Sequence, residues 1–147
     1  YCAAHKDLWN GEIVGYALGS RMTSELVRQS LLKAVTVKRP AEGLIHHSDR
    51  GSQYCTPKYQ KLLKRFGMMS SMSRKGNCYD NAPMESFWGT LKNELIHHRR
   101  YATRAEAIRE ITEYMEVFYN RERRQKRLGY LSPAAYERKF YAGRVAA

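Results

Sequence analysis

An α/β fold, a sheet of mixed polarity flanked by helices, is what the hydrophobic periodicity of this chain predicts. Three observations carry that expectation. Short β-rich runs alternate with amphipathic helical segments along the chain. The opening segment reads as a hairpin. No internal repeat, low-complexity stretch or clear linker interrupts the 147 residues, a length suited to one domain with a sizeable core.

The elements follow in order. Glu12-Ile13-Val14-Gly15-Tyr16-Ala17-Leu18 is rich in β-branched and aromatic residues, and residues 1–6 precede it as the other arm. The connection between them ends in Asn10-Gly11, a strong turn pair. Thr23 caps a helix with Glu25 in its first turn. Leu26, Val27, Leu31, Ala34 and Val35 recur there at helical spacing, and Pro40 marks the end. Residues 44–48 form a short strand that places Asp49 at its carboxyl end. Thr56-Pro57 opens the next helix, with Tyr59, Leu62, Leu63 and Phe66 as its apolar face and Gly67 as its stop. Residues 68–72 read as a strand and 73–80 as a loop. Asn81 caps a helix striped by Met84, Phe87, Trp88, Leu91 and Leu95, with Glu85 in its first turn and Lys92 two turns further on the same side. Thr103-Arg104-Ala105-Glu106 is a capping box opening a final long helix. Its expected buried stripe is Ile108, Ile111, Met115, Phe118 and Tyr119. That helix runs into Arg121-Glu122-Arg123-Arg124-Gln125-Lys126-Arg127, five basic residues in seven, and the following residues to Pro133 close it before a short amphipathic tail.

Lys and Arg number 26 against 14 acids, a formal +12 that points first to a polyanionic partner, nucleic acid. Hydrophobic residues make up 43%, too many for a disordered chain. Cys2, Cys55 and Cys78 are odd in number and lack a Cys-x-x-Cys, so a reducing compartment is expected. The pairs His46-His47 and His97-His98 are neighbours that would point to opposite faces of a strand, and read as structural or surface histidines. No apolar run approaches a membrane span, so no membrane partner is expected. Tyr1 in place of a methionine points to a longer parent chain.

Two carboxylates, Asp49 and Glu85, stand on separate elements with thirty-five residues between them. Loops at the carboxyl ends of strands are where α/β sheets build their sites, and a helix start facing that edge brings Glu85 into range. Such a pair suits a hard divalent cation at a phosphodiester. Taken singly, an Asp after a strand is a turn-former and a Glu at a helix start a dipole partner. Tyr54, Tyr79 and Trp88 are candidates for stacking on bases, although Trp88 also fits the core.

Four local words sharpen this. His47-Ser48-Asp49-Arg50-Gly51-Ser52-Gln53-Tyr54, Ser73-Arg74-Lys75-Gly76-Asn77-Cys78-Tyr79-Asp80-Asn81-Ala82, Glu85-Ser86-Phe87-Trp88-Gly89-Thr90-Leu91-Lys92 and Leu128-Gly129-Tyr130-Leu131-Ser132-Pro133 stand in that order. Together they closely resemble the bacterial insertion-sequence transposases whose catalytic core is like that of retroviral integrases. The resemblance covers nearly the whole chain. It implies a ribonuclease-H-like fold and a triad of two aspartates and a glutamate, with Asp49 and Glu85 as its second and third members and as metal ligands. The implied cofactor is Mg²⁺ or Mn²⁺, in a two-metal site when the triad is complete. The implied reaction is cleavage at an element's end, exposing a 3′-hydroxyl that attacks target DNA. Lys92 matches a residue that contacts the transposon end. Arg50, Gln53, Lys75, Asn81, Arg121, Arg123, Arg124, Lys126 and Arg127 are the further expected DNA contacts. Residues 1–97 would be a partial catalytic core and 98–147 its helical, basic C-terminal extension. A homo-oligomer that pairs two ends is implied, as is a cytoplasmic, nucleoid-associated bacterial location.

The chain departs from the family pattern in three places. The first aspartate, in a Thr-Asp-x-Thr-Tyr-like word on the first central strand, has no counterpart here; Asp7 aligns with a hairpin-turn position instead. The chain alone is therefore expected to fold poorly and to be inactive. Gln125 stands where relatives often carry His, and His5-Lys6 puts polar residues on a usually apolar strand. Two other readings stay open: a nuclease of the same fold that hydrolyses without joining, and a DNA-binding remnant without catalysis.

Overall fold

The computed structural model describes residues 1–74 and 78–145. Its elements are β1 (Cys2–Lys6), β2 (Ile13–Leu18), α1 (Ser24–Lys38), β3 (Ile45–Ser48), α2 (Pro57–Arg65), β4 (Met69–Met72), α3 (Ala82–Glu94), α4 (Arg104–Glu113) and α5 (Pro133–Val145), with a π-helical segment over Tyr114–Glu122. They form two compact units. The first comprises Tyr1–His5 and Val14–Trp88; the second comprises Lys6–Ile13 and the chain from Gly89 onward.

In the first unit, β1 pairs with β2, and β3 pairs with β4 in parallel, as separate two-stranded sheets. β2 alternates buried and half-buried residues, the period-2 pattern of a strand with one covered face. α1 lies against that face at Gly15. A methyl group there would come 2.5 Å from both the Ala34 amide nitrogen and the Ser30 carbonyl, so only glycine permits the approach. The core gathers Ala3, Ala17, Leu26, Val27, Leu31, Tyr59, Leu63 and Met68. The helix ends are built as their sequences require. The Thr23 hydroxyl accepts from the Leu26 amide at 3.2 Å, and the Thr56 hydroxyl from the Tyr59 amide at 3.3 Å. Gly67, at φ +64°, ends the turn after α2.

His5 and His46 converge on the Tyr59 hydroxyl, at 3.1 and 2.9 Å, with both Nδ1 atoms buried and without a hydrogen-bond partner. Burial, and then the neighbouring His46, lower the His5 pKa to about 3; burial lowers that of His46 to about 4. The polar residue at position 5 is thus accommodated by a tyrosine-centred network.

In the second unit the expected single long helix is corrected. α4 ends at Glu113 and continues as a π-helical segment to Glu122, after which the chain turns extended at Arg123. Widening to i→i+5 bonds rotates the register. Tyr114, Met115, Tyr119 and Asn120 are buried, whereas Ile108 and Phe118, expected inside, are 45% and 41% exposed. Asn120 grips the hairpin backbone: its Oδ1 accepts from the Ile13 amide at 2.9 Å, and its Nδ2 donates to the Ile13 carbonyl at 3.0 Å. Ser132-Pro133 does not close a helix but opens one. The Ser132 hydroxyl accepts from the Ala135 amide at 3.3 Å, and the expected short tail is the thirteen-residue α5.

Candidate active site

Asp49 leaves the carboxyl end of β3 exposed to solvent, and its Oδ1 accepts from the Gly51 amide at 2.8 Å. That local bond fixes the carboxylate in an Asx-type turn. A methyl group at Gly51 would come within 2.8 Å of both Asp49 Oδ1 and Gln53 Nε2, so glycine keeps the carboxylate where it stands. Burial, and then the Asp49 charge, raise the pKa of the Tyr54 phenol, which packs edge-on against Tyr59.

The end of β3 and the start of α3 are joined through Ser73, a buried residue directly after β4. Its amide donates to the Ser48 carbonyl at 2.9 Å, beside Asp49. Its hydroxyl donates to Asn81 Oδ1 at 2.6 Å, and Asn81 immediately precedes α3. His47 reinforces the link: Nε2 lies 3.2 Å from the Ser73 hydroxyl and Nδ1 lies 2.9 Å from that of Ser71. With Nε2 protonated, a single chain of hydrogen bonds runs from Ser71 through His47 and Ser73 to Asn81. Arg50 adds a clamp, its Nε donating to the Ser73 carbonyl at 2.9 Å. Glu85 stands exposed in the first turn of α3, four residues beyond Asn81.

Before α3, Arg74 and Asp80 are bonded to each other. The Arg74 amide donates to Asp80 Oδ2 at 2.9 Å, and the ion pair spans 3.3 Å. These contacts hold the Asp80 carboxyl below the usual carboxylate range. Lys75 lies outside the described residues. Tyr79 is 83% exposed, and Trp88 is half-buried against Phe87.

The donor set fits a hard divalent cation in kind. Asp49 and Glu85 are exposed oxygen donors, and Mg²⁺ is held by one or two carboxylates together with waters and substrate phosphates. Among the described residues, no three His, Cys, Asp or Glu side chains gather as a metal cluster. Cys2 and Cys55 are free thiols, and burial raises Cys2 to about 11, far from a reactive thiolate.

The expected DNA contacts differ in their surroundings. Lys92 is exposed on α3, and Arg121, Arg124, Lys126 and Arg127 are exposed in the second unit. Arg123 is instead bound to Glu94, with an ion pair of 2.6 Å, and its guanidinium lies over the Tyr119 ring. Burial opposes ionisation of Glu94, but hydrogen bonds from Arg123 and Tyr114 outweigh it and hold its carboxyl below the usual range. Arg127 Nε donates to Gln125 Oε1 at 3.3 Å. Sequence reasoning missed the roles of His47, Ser71 and Ser73. Their signal was adjacency: His47 sits two residues before Asp49, and Ser73 follows the strand that pairs with β3.

No helix among the described residues is long and apolar enough to cross a membrane. An integrase core domain family matches residues 1–78, and a second family of the same description matches residues 85–140. A 31 kDa protein of insertion element IS600 from Shigella sonnei is 58% identical over 96% of this chain and 52% of its own length. The transposase for insertion sequence element IS904 from Lactococcus lactis is 49% identical over 94% of this chain and 54% of its own. Transposase InsF for insertion sequence IS3A from Escherichia coli is 41% identical over 95% of this chain and 48% of its own. The chain thus spans about half the length of the curated relatives it matches, with the Asp49 and Glu85 segments both inside the matched region. On this likeness the chain belongs to the integrase core family and is a relative of insertion-sequence transposases.

Proposed function

We propose that this chain is the C-terminal part of a transposase that cleaves and joins DNA at insertion-sequence ends, with Asp49 and Glu85 as its metal-ligating carboxylates. The observation that carries the reading is the Ser73 junction, which ties the Asp49 end of β3 to the start of the helix bearing Glu85. The transposase names of two relatives support it.

In this reading Gly51 orients the Asp49 carboxylate, and the His47–Ser73–Asn81 bonds hold the helix start at that edge. Bound there, Mg²⁺ or Mn²⁺, as two ions once the triad is complete, would activate the attacking oxygen and stabilise the leaving one. The triad's first aspartate would come on a further strand inserted between the two sheets. Support for that comes from their separate pairing and from the exposed Leu44 and Ile45, 49% and 61% accessible at the start of β3. Residues 1–97 then belong to the catalytic core and 98–147 to its basic helical extension. Lys92, Arg50, Gln53, Lys75, Asn81 and the run from Arg121 to Arg127 would neutralise phosphates of element ends and target DNA, giving salt-dependent binding. A homo-oligomer would pair the two ends at the bacterial nucleoid.

The test is covalent joining of a DNA end with a free 3′-hydroxyl by the full-length gene product in Mg²⁺. Asp49→Asn and Glu85→Gln should each abolish joining while duplex binding persists. Joining retained by either variant overturns the assignment. Cleavage without joining would identify a nuclease, and DNA binding indifferent to metal and to both variants a non-catalytic binder.

A further inference from the structure

We propose that Glu94, Arg123 and Tyr114 are positioning residues for the joining reaction: together they brace the last turn of α3, the helix that bears Glu85 and Lys92. The inference rests on the transposase reading above and refines it, because it sets Arg123 apart from the phosphate-binding run.

Tyr114 opens the π-helical segment and Arg123 stands just past its end, nine residues on. In an α-helix of about 3.6 residues per turn, such a pair lies about 180° apart around the axis. The wider π turn, closed here by the Arg123 amide on the Phe118 carbonyl at 2.6 Å, lets both side chains reach one carboxylate. The Tyr114 hydroxyl donates to Glu94 Oε2 at 2.6 Å. Arg123 donates through Nε to both Glu94 oxygens at 2.9 Å, and through Nη2 to Oε1 at 2.6 Å. Burial, and then the bond to Glu94, raise the Tyr114 pKa, so its hydroxyl stays a donor. The Arg123 guanidinium also lies 5.8 Å from the centre of the Tyr119 ring. A simple surface ion pair contributes little. A bidentate one, joined by a tyrosine and laid over a ring, fixes the angle between its partners as well as their distance.

What the brace holds is the end of a functional helix. Glu94 is the last residue of α3, Lys92 stands in the same last turn, and Glu85 lies in the first. The other end of that helix follows Asn81, which Ser73 holds. From Glu85 to Glu94 is roughly 14 Å of helix, so a tilt of about 4° displaces one end against the other by ~1 Å. A misplacement of ~1 Å at a reacting centre can cost about 10²-fold. Arg121 and Arg124 are exposed. Arg123 has its Nε and one terminal nitrogen committed to Glu94, so a DNA phosphate would have to displace that carboxylate.

The experiment uses the full-length protein. It reads the joining rate at saturating DNA end, the Mg²⁺ concentration giving half that rate, and the salt dependence of duplex binding. Arg123→Gln and Glu94→Gln should each slow joining about 10- to 100-fold and raise the Mg²⁺ requirement, with the salt slope unchanged. Tyr114→Phe keeps the ring and removes only the hydroxyl, so it should show the same pattern at smaller size without loss of folding. Arg124→Gln supplies the contrast: a lost phosphate contact should lower the slope of log affinity against log salt by about 0.9. If Arg123→Gln lowers the slope as Arg124→Gln does, Arg123 is a phosphate contact and the brace is overturned. Joining at the parent rate in Glu94→Gln overturns it as well. So do losses that follow the urea midpoint while the Mg²⁺ requirement stays fixed, since the network would then serve stability alone. The transposase reading survives each of these results. A parent protein that neither joins nor binds DNA overturns that reading and the brace together.

Discussion

Replacing Gly51 with alanine separates the chemistry of this site from its stability. The new methyl group would stand 2.8 Å from Asp49 Oδ1 and 2.8 Å from Gln53 Nε2, where ordinary contact begins at 3.4 Å. Each atom must therefore retreat by the difference, about 0.6 Å. Gly51 is not among the positive-φ glycines, so its backbone accepts alanine, and the crowded atoms are ends of flexible side chains. Asp49 is exposed, so folding stability should change by about 0.5 kcal/mol or less. The carboxylate, however, loses its fixed position against the Gly51 amide. A displacement of ~1 Å at a reacting centre can cost about 10²-fold, so 0.6 Å sets the expected loss at roughly tenfold in joining rate. The assay pairs the joining rate of the full-length protein with the urea midpoint of the same protein. An unchanged joining rate, or a drop in midpoint large enough to account for the loss, would refute the reasoning.

Three other perturbations address the scaffold. Gly15→Ala forces a methyl group into the α1 backbone and should destabilise by about 1–3 kcal/mol or more; an unshifted urea midpoint would mean α1 does not lie on β2 there. Asn120→Ala leaves the buried Ile13 amide and carbonyl without partners, at about 1–3 kcal/mol each, and Asn120→Asp should recover only the amide's share. Acidification should destabilise the first unit. The folded pKa values of His5 and His46, about 3 and 4, lie below the unfolded value near 6.5, so the unfolded state binds more protons between them. Stability is then full above about pH 6.5 and falls as the pH is lowered toward 4. Solvent screening of these half-buried rings limits the loss to at most about 2 kcal/mol per histidine at pH 5. Chemical denaturation at pH 7 and pH 5 reads it, and His5→Phe should flatten the difference.

Local signals foretold local structure. Thr23, Thr56 with Pro57, Gly67 and Thr103 all mark the helix ends their chemistry implies, because a cap depends on residues within one turn of it. The same logic applied to Ser132-Pro133 would have found α5. The basic run beside it suggested a closing helix, and that competing signal prevailed. The π-helical segment was out of reach, because 3.6-residue periodicity assigns Phe118 to the core and only the wider turn brings Asn120 onto Ile13. Asp49 and Glu85 could be singled out by type and spacing. The bonds that unite their elements are tertiary: Ser73 meets Ser48 only because β4 pairs with β3 in this register, and its partner Asn81 lies eight residues further along the chain. Arg123 shows the converse limit, since a dense run of cations does not reveal which of them an acid 29 residues earlier will hold.

Whether Asp49 and Glu85 share a cation is best measured by titrating Mn²⁺ into the isotope-labelled full-length protein and following paramagnetic broadening of its amide signals. The proposed site predicts that residues 48–51 and 82–86 broaden together at the lowest Mn²⁺, and that Asp49→Asn weakens the effect on both segments. Broadening confined to one of them, or centred on carboxylates elsewhere, would contradict a shared site.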